Sequence, residues 1–233
     1  MPTKIIAEFG GNPATYSWDM TGFCHAAQNC GATDCKIQLW RAQHFPAPER
    51  DSKRPLEFPR EWVSEYARQA RSVNLSPGAS VCDAEACRIS ARHLDWIKLA
   101  AREQFNGALI SAALNTGKPI YRSLSTLADY SPELFAEIHE RSTVLYTVSR
   151  YPTPLVLALF AIVQAALYFG KRRAWGWSSH TRHWLDCALA VAIGATVIEK
   201  HFCLSRSNPE GGHSLTPPEF RNLVNRIRQF ERR

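Results

Sequence analysis

Several features that would fix a function class are missing from this chain of 233 residues. Its seven cysteines form no repeated CxxC pairing, and CGATDC at 30–35 has no second Cys/His pair of zinc-site spacing to complete it, so no structural zinc site is expected. Nothing like a charged, then apolar, then small-residue secretion signal opens the chain, because MPTKIIAEFG runs directly into a strand-like segment. An odd number of thiols without a leader predicts reduced cysteines and a cytoplasmic location. The apolar stretch PLVLALFAIVQAALYFG at 154–170 contains Gln164 and falls short of the roughly 20 residues of a spanning helix. It reads as a buried or half-buried helix, and a membrane partner is not expected. Basic residues are plentiful, with a net charge of +7 and a pI near 9.2, yet no aromatic-interleaved basic motif accompanies them. A nucleic-acid partner is therefore not expected. The tail FRNLVNRIRQFERR instead predicts an amphipathic helix with Phe220, Leu223, Val224, Ile227 and Phe230 on one face and solvated arginines on the other. The positive field still suits anionic metabolites.

What the chain does contain is an alternation. Strand-like runs occur at 4–9, 34–40, 78–83, 95–100, 118–123, 143–149, 174–179 and 195–202. Between them lie stretches of helical periodicity such as WDMTGFCHAAQNCG, EWVSEYARQARSV, EQFNGALISAALNTG and RHWLDCALAVAIGA, several ending on Gly before the next strand. Strand–helix alternation repeated about eight times predicts an α/β fold, a closed (β/α)8 barrel spanning residues 1–233 as one compact domain. The long irregular insert RAQHFPAPERDSKRPLEFPR at 41–60 follows the second strand, on the face where such barrels keep their active sites.

That architecture gives the polar residues a common address. Glu8, Asn12, Lys36, Gln38, Ser80, Lys98, Ser123, Tyr151, Ser178, His180, Glu199 and His201 all fall at or just beyond the C-terminal end of a strand-like run. Each has a structural reading: Lys36 and Lys98 as ion-pair partners of Glu8 and Glu199, and Ser80, Ser123 and Ser178 as caps of the helices that follow. Together they have the composition of a site for a phosphorylated anion and a metal. Lysines act as point charges and hydroxyls as directional donors to phosphate. Two histidines near a carboxylate suit a divalent ion such as Mn²⁺, with Mg²⁺ or Co²⁺ as alternatives. Glu8 or Glu199 would move protons.

The segments IIAEFGGNP (5–13), CGATDCKIQ (30–38), DWIKLAA (95–101), TGKPIYRS (116–123), SRYPTP (149–154), GWSSHT (176–181) and GATVIEKHFCLSR (194–206), followed by SLTPPEF, resemble the sialic acid synthase family in order and spacing. The resemblance implies a barrel enzyme that condenses phosphoenolpyruvate with an N-acylated amino sugar or related aldehyde and releases phosphate. It implies metal ligation by His180 and His201, and phosphoenolpyruvate binding by Lys36, Lys98, Ser80, Ser123 and Ser178. It places Glu8, Gln38 and Tyr151 near the sugar and Glu199 beside the metal. Ser179 stands where the family carries an Asp, KLAARE at 98–103 puts Ala101 and Arg102 in place of a Ser and a Gly, and PEGGH at 209–213 lacks an expected Asp. Arg102 is read either as a replacement phosphate contact or as a block to the pocket. The family's small antifreeze-like domain has no counterpart after Arg233, so a homo-oligomer or a partner chain is expected to supply the missing acceptor contacts. The alternative function is a non-catalytic or regulatory protein that keeps only the metabolite site.

Overall fold

A computed structural model describes residues 2–15, 20–125, 136–170 and 173–231. Eight parallel strands close into a barrel in sequence order: β1 (Lys4–Gly10), β2 (Asp34–Leu39), β3 (Ser76–Val81), β4 (Trp96–Leu99), β5 (Ile120–Leu124), β6 (Ser142–Thr147), β7 (Trp175–Ser179) and β8 (Val197–His201). The helices are α1 (Met20–Asn29), α2 (Arg50–Lys53), α3 (Val63–Ser72), α4 (Ala84–His93), α5 (Gly107–Leu114), α6 (Ala136–Arg141), α7 (Leu155–Phe169), α8 (Leu185–Ala192) and α9 (Pro217–Glu231). The strand-like and helical stretches of the sequence fall on these elements, except that residues 18 and 19 of the first helical stretch and residues 232 and 233 of the tail lie outside the described residues.

The period of two along each strand divides the chemistry. One set of side chains, including Ile5, Ala7, Phe9, Cys35, Ile37, Ala79, Ile97, Val144 and Ile198, joins the main apolar core. The other set fills the barrel in layers. Its apolar layer is Ile6, Trp96, Tyr121, Leu145 and Val197. Trp96 fits there because Gly78 faces it across the β3–β4 pair, and a Cβ at residue 78 would lie 2.2 Å from the indole. One layer further toward the C-terminal ends come Glu8, Lys36, Ser80, Lys98, Ser178 and Glu199. Strand register places Glu8 beside Lys36, Ser80 beside Lys98 and Ser178 beside Glu199.

Ser80 and Ser178 do not cap the following helices. Asp83 caps α4, its carboxylate accepting the Ala86 N–H at 2.8 Å, and α8 has no side-chain cap. Residues 126–135, which follow β5, lie outside the described residues. The insert at 41–60 is more ordered than its composition suggested: it is a run of single helical turns around α2. Glu57 accepts the Ala42 N–H at 2.6 Å, and Arg60 bridges Asp83 and Glu85, pinning the insert to the barrel rim. In α9, Phe220, Leu223, Val224 and Ile227 are buried as the periodicity required, but Phe230 is half exposed because it falls in the last turn beyond the packed stripe. Helix α7 buries Ala158, Ile162 and Ala165 and turns Val156, Phe160 and Leu167 to solvent. No helix among the described residues is long and apolar enough to cross a membrane.

Candidate active site

Four buried charges cross the barrel mouth. Lys36 pairs with Glu8 and lies 3.9 Å from Glu199, while Lys98 pairs with Glu199. Lys36 also donates to Ser80 Oγ at 2.6 Å, and Ser178 donates to Glu199 Oε1 at 2.8 Å. Glu8 is aimed by donors from its own strand end and the next strand: the Gly10 N–H at 2.9 Å and Gln38 Nε2 at 2.7 Å. Burying isolated charges is costly, and this alternation of sign is what makes the layer tenable. Burial opposes ionisation of Glu199, but Lys36 and Lys98 outweigh it and hold the carboxyl well below the usual range. The two lysines differ. Burial is offset at Lys36 by Glu199 and Glu8, which raise it, whereas at Lys98 burial together with the neighbouring Lys36 outweighs Glu199 and lowers it. Ser123 is buried on the inward face of β5, in register with Leu145.

A second group lies beside this layer. His201, at the end of β8, contacts Glu210 Oε2 through Nδ1 at 2.8 Å, and ligand atoms of His201, Glu210 and His213 lie within 4.8 Å of one another. Gly10 has φ +55°, and a Cβ there would meet the Glu210 carboxylate at 1.9 Å, so this glycine leaves the room the carboxylate fills. The Gly11 N–H donates to the other Glu210 oxygen at 3.0 Å. Burial opposes the ionisation of Glu210, yet the His201 contact wins and its pKa falls to about 2. Burial and the nearby His201 lower His213 to about 4 and push His180 well below the usual imidazole value. His180 Nδ1 sits 2.8 Å from the Val148 carbonyl; assigning the ring proton to that bond leaves Nε2 as the acceptor. The His180 and His201 rings are 5.4 Å apart, and Tyr151 lies over His180 at 4.1 Å and beside His213 at 5.1 Å. Tyr151 as a whole is 55% exposed, but desolvation around its hydroxyl, then Glu199 and Glu210, raise the phenol, which stays protonated. Two imidazoles and a carboxylate are a donor set that fits a first-row divalent ion.

The remaining expected residues are arranged differently. Asn12 is fully buried, donating to the Phe202 carbonyl at 2.8 Å and accepting the Glu210 N–H at 2.8 Å, so its amide fixes the loop that carries Glu210. Arg102 stands on the single turn after β4, its guanidinium 4.5 Å from the Phe45 ring of the insert. Ser179 points outward from the barrel, away from the histidines. It donates to Asp186 at 2.6 Å and accepts from the buried Lys200 at 2.7 Å.

Residues 23–233 match the NeuB family. The chain belongs to the NeuB family. It is 30% identical to a pseudaminic acid synthase of Campylobacter jejuni, with 97% of this chain and 73% of that protein covered. It is 26% identical to the spore coat polysaccharide biosynthesis protein SpsE of Bacillus subtilis, over 99% of this chain and 68% of that one. The crystal structure of a sialic acid synthetase from Leptospira borgpetersenii superposes with a TM-score of 0.90 at 23% identity, covering 100% of this chain and 85% of that one. The closed (β/α)8 barrel that the resemblance to the sialic acid synthase family implied is thus the fold of the chain. Four residues escaped the sequence reading, two at the mouth and two outside the barrel wall. Glu210 and His213 lie in the PEGGH stretch, which was read only as the loss of an Asp. Lys200 and Asp186 form the buried pair behind Ser179; the alternation of β8 places Lys200 on the opposite face from Glu199 and His201, which was the available signal.

Proposed function

We propose that this chain joins phosphoenolpyruvate to an N-acylated amino sugar, taken as its open-chain aldehyde, and releases phosphate. The observation that carries the reading is the pair of crossed ion pairs, Glu8–Lys36 and Glu199–Lys98, set beside the His201–Glu210–His213 group. Membership of a family whose relatives include pseudaminic and sialic acid synthases supports it. In the balanced reaction the methylene carbon of the enol phosphate bonds to the aldehyde carbon, water adds its oxygen to the carbon that bears the phosphate, and the bond from that carbon to the phosphate oxygen breaks. The aldehyde oxygen takes up a proton, leaving a 2-keto acid and inorganic phosphate.

Each group has a task in this scheme. Lys36 and Lys98, with the hydroxyls of Ser80, Ser123 and Ser178, hold the anionic enol phosphate. Lys98, lowered by burial and by Lys36, releases a proton toward the departing phosphate. Glu8, held by Gly10 and Gln38, takes a proton from the incoming water. Glu199 keeps both lysines in place and stabilises positive character at the carbon under attack. Tyr151, kept protonated, donates to the acceptor. His201, Glu210 and His213, with His180 alongside, would hold a divalent ion, Mn²⁺ first and Mg²⁺ or Co²⁺ next, which when bound polarises a carbonyl oxygen. We place the reaction in the cytoplasm, where its seven free, buried thiols stay reduced.

The test is inorganic phosphate release from phosphoenolpyruvate with Mn²⁺ across a panel of N-acyl hexosamines and simple sugar aldehydes. Acceptor-dependent release that disappears in His201→Ala is the expected result. Tight phosphoenolpyruvate binding with no release for any acceptor would point to the non-catalytic, metabolite-binding alternative.

A further inference from the structure

The sequence left two features unexplained: an arginine where the family carries a glycine, and the 41–60 insert. The structure joins them. Arg102 extends from the turn after β4, the strand that carries Lys98, and its Nη2 lies 3.5 Å from Cys82 Sγ, just beyond the end of β3, the strand that carries Ser80. The guanidinium therefore stands over the strand ends whose inward residues are Ser80 and Lys98. Its side chain is 41% exposed, and its ion pair with Glu103 is a single Nε contact at 3.4 Å.

What holds it there is the insert. The Phe45 ring lies 4.5 Å from the guanidinium carbon and meets the Trp40 ring edge-on at 5.0 Å. Trp40 Nε1 donates to Gln38 Oε1 at 2.7 Å, and Gln38 Nε2 donates to Glu8 at 2.7 Å. A continuous set of contacts thus runs from a carboxylate of the central layer to the ring that seats Arg102. The neighbouring insert residue His44 faces Asp83 at 3.4 Å, and Arg60 also binds Asp83, which fixes the insert against β3 and α4. Both central lysines are already committed to carboxylates, so an incoming phosphate dianion gains most from a cation that lacks such a tight partner.

Resting on the synthase reading above, we propose that Arg102 binds the phosphate of phosphoenolpyruvate in place of the hydroxyl that Ala101 lacks, and that Phe45 is the positioning residue that holds its guanidinium over the mouth. A planar guanidinium offers paired donors to phosphate, a stronger contact than the hydroxyl it replaces. Phe45 confines that group by a cation–π contact that uses none of its N–H donors.

Equilibrium binding of phosphoenolpyruvate and of inorganic phosphate to the full chain tests this, together with KM and kcat wherever turnover is seen. Arg102→Ala should weaken both ligands by about tenfold or more, and Arg102→Lys should restore only part of that loss. Phe45→Leu should weaken both by roughly 2–10-fold, as expected for loss of a half-exposed cation–π contact, and Phe45→Tyr should restore binding. The change should appear in KM for phosphoenolpyruvate and leave the acceptor KM as it was. Unchanged or tighter binding in Arg102→Ala would overturn the proposal and identify Arg102 as a block to the pocket. Loss in Arg102→Ala with none in Phe45→Leu would overturn the role of the insert. Wild-type protein that binds neither ligand would overturn the synthase reading itself, and this inference with it. Arg102 is on the rim with a side chain 41% exposed, so its variants keep the test valid if a Phe45 variant fails to fold.

Discussion

Lys200 is the residue whose removal should cost the fold most for its size. Its ammonium is fully buried on the outer side of β8 and donates to Ser179 Oγ at 2.7 Å, the Thr181 carbonyl at 2.6 Å, Thr181 Oγ1 at 3.1 Å and the His183 carbonyl at 3.3 Å. The compensating charge is Asp186, also fully buried, which accepts from Trp177 Nε1 at 2.9 Å, Ser179 Oγ at 2.6 Å and Thr181 Oγ1 at 3.0 Å. Two hydroxyls therefore separate the cation from the anion and serve both. Lys200→Met keeps the aliphatic stem but leaves a buried carboxylate without its counter-charge and two carbonyls without their donor. Removing one member of such a pair costs about 3–5 kcal/mol. For a chain of this size each kcal/mol shifts Tm by roughly 2–4 °C, so the variant should melt about 6–20 °C lower. The double variant Lys200→Met/Asp186→Asn removes both charges and should be less damaged than the sum of the two single variants by at least about 1 kcal/mol. Thermal melts and urea midpoints of the four proteins complete the cycle. A single-variant loss under about 2 °C, or strict additivity in the double, would refute the claim that this pair is an electrostatic unit.

Two further outcomes follow from particular contacts. Burial opposes the ionisation of Asp83, but Arg60 and the Ala86 N–H outweigh it and lower its pKa, so its stabilising contribution is present above the unfolded carboxylate value near 4 and is lost as pH falls through the depressed folded value. The gap in urea midpoint between wild type and Asp83→Asn should thus be full at pH 6 and shrink below about pH 4; a gap that grows on acidification would reverse the assignment. Gly78→Ala drives a methyl group to 2.2 Å from the Trp96 ring inside the barrel, where neither partner has room to move. It should lower stability by about 1–3 kcal/mol in chemical denaturation and blue-shift or broaden the Trp emission; an unchanged midpoint would mean that the inner layer is looser than drawn.

The barrel was legible in the sequence because its signal is redundant. Each of the eight strand-like runs matches a strand, and an error at one run would have been corrected by the regular alternation of the others. The central charged layer was legible for the same reason, since period-two spacing places Glu8, Lys36, Lys98 and Glu199 on one face without knowledge of their partners. Glu210 and His213 were not legible, because they stand on a loop whose path is set by Asn12, Gly11 and His201, contacts with residues far away in the chain. The change at Ser179 shows how the two kinds of information differ. In sequence, Ser179 stands next to His180, a candidate metal ligand. In three dimensions residue 179 faces the helical layer, where Asp186, seven residues later on α8, accepts from the Ser179 hydroxyl and is linked through it to Lys200. The departure therefore bears on the stability of the β7–α8 loop and on how firmly His180 is held, since Ser179 bonds to Asp186 and Lys200 on the outer side of the barrel.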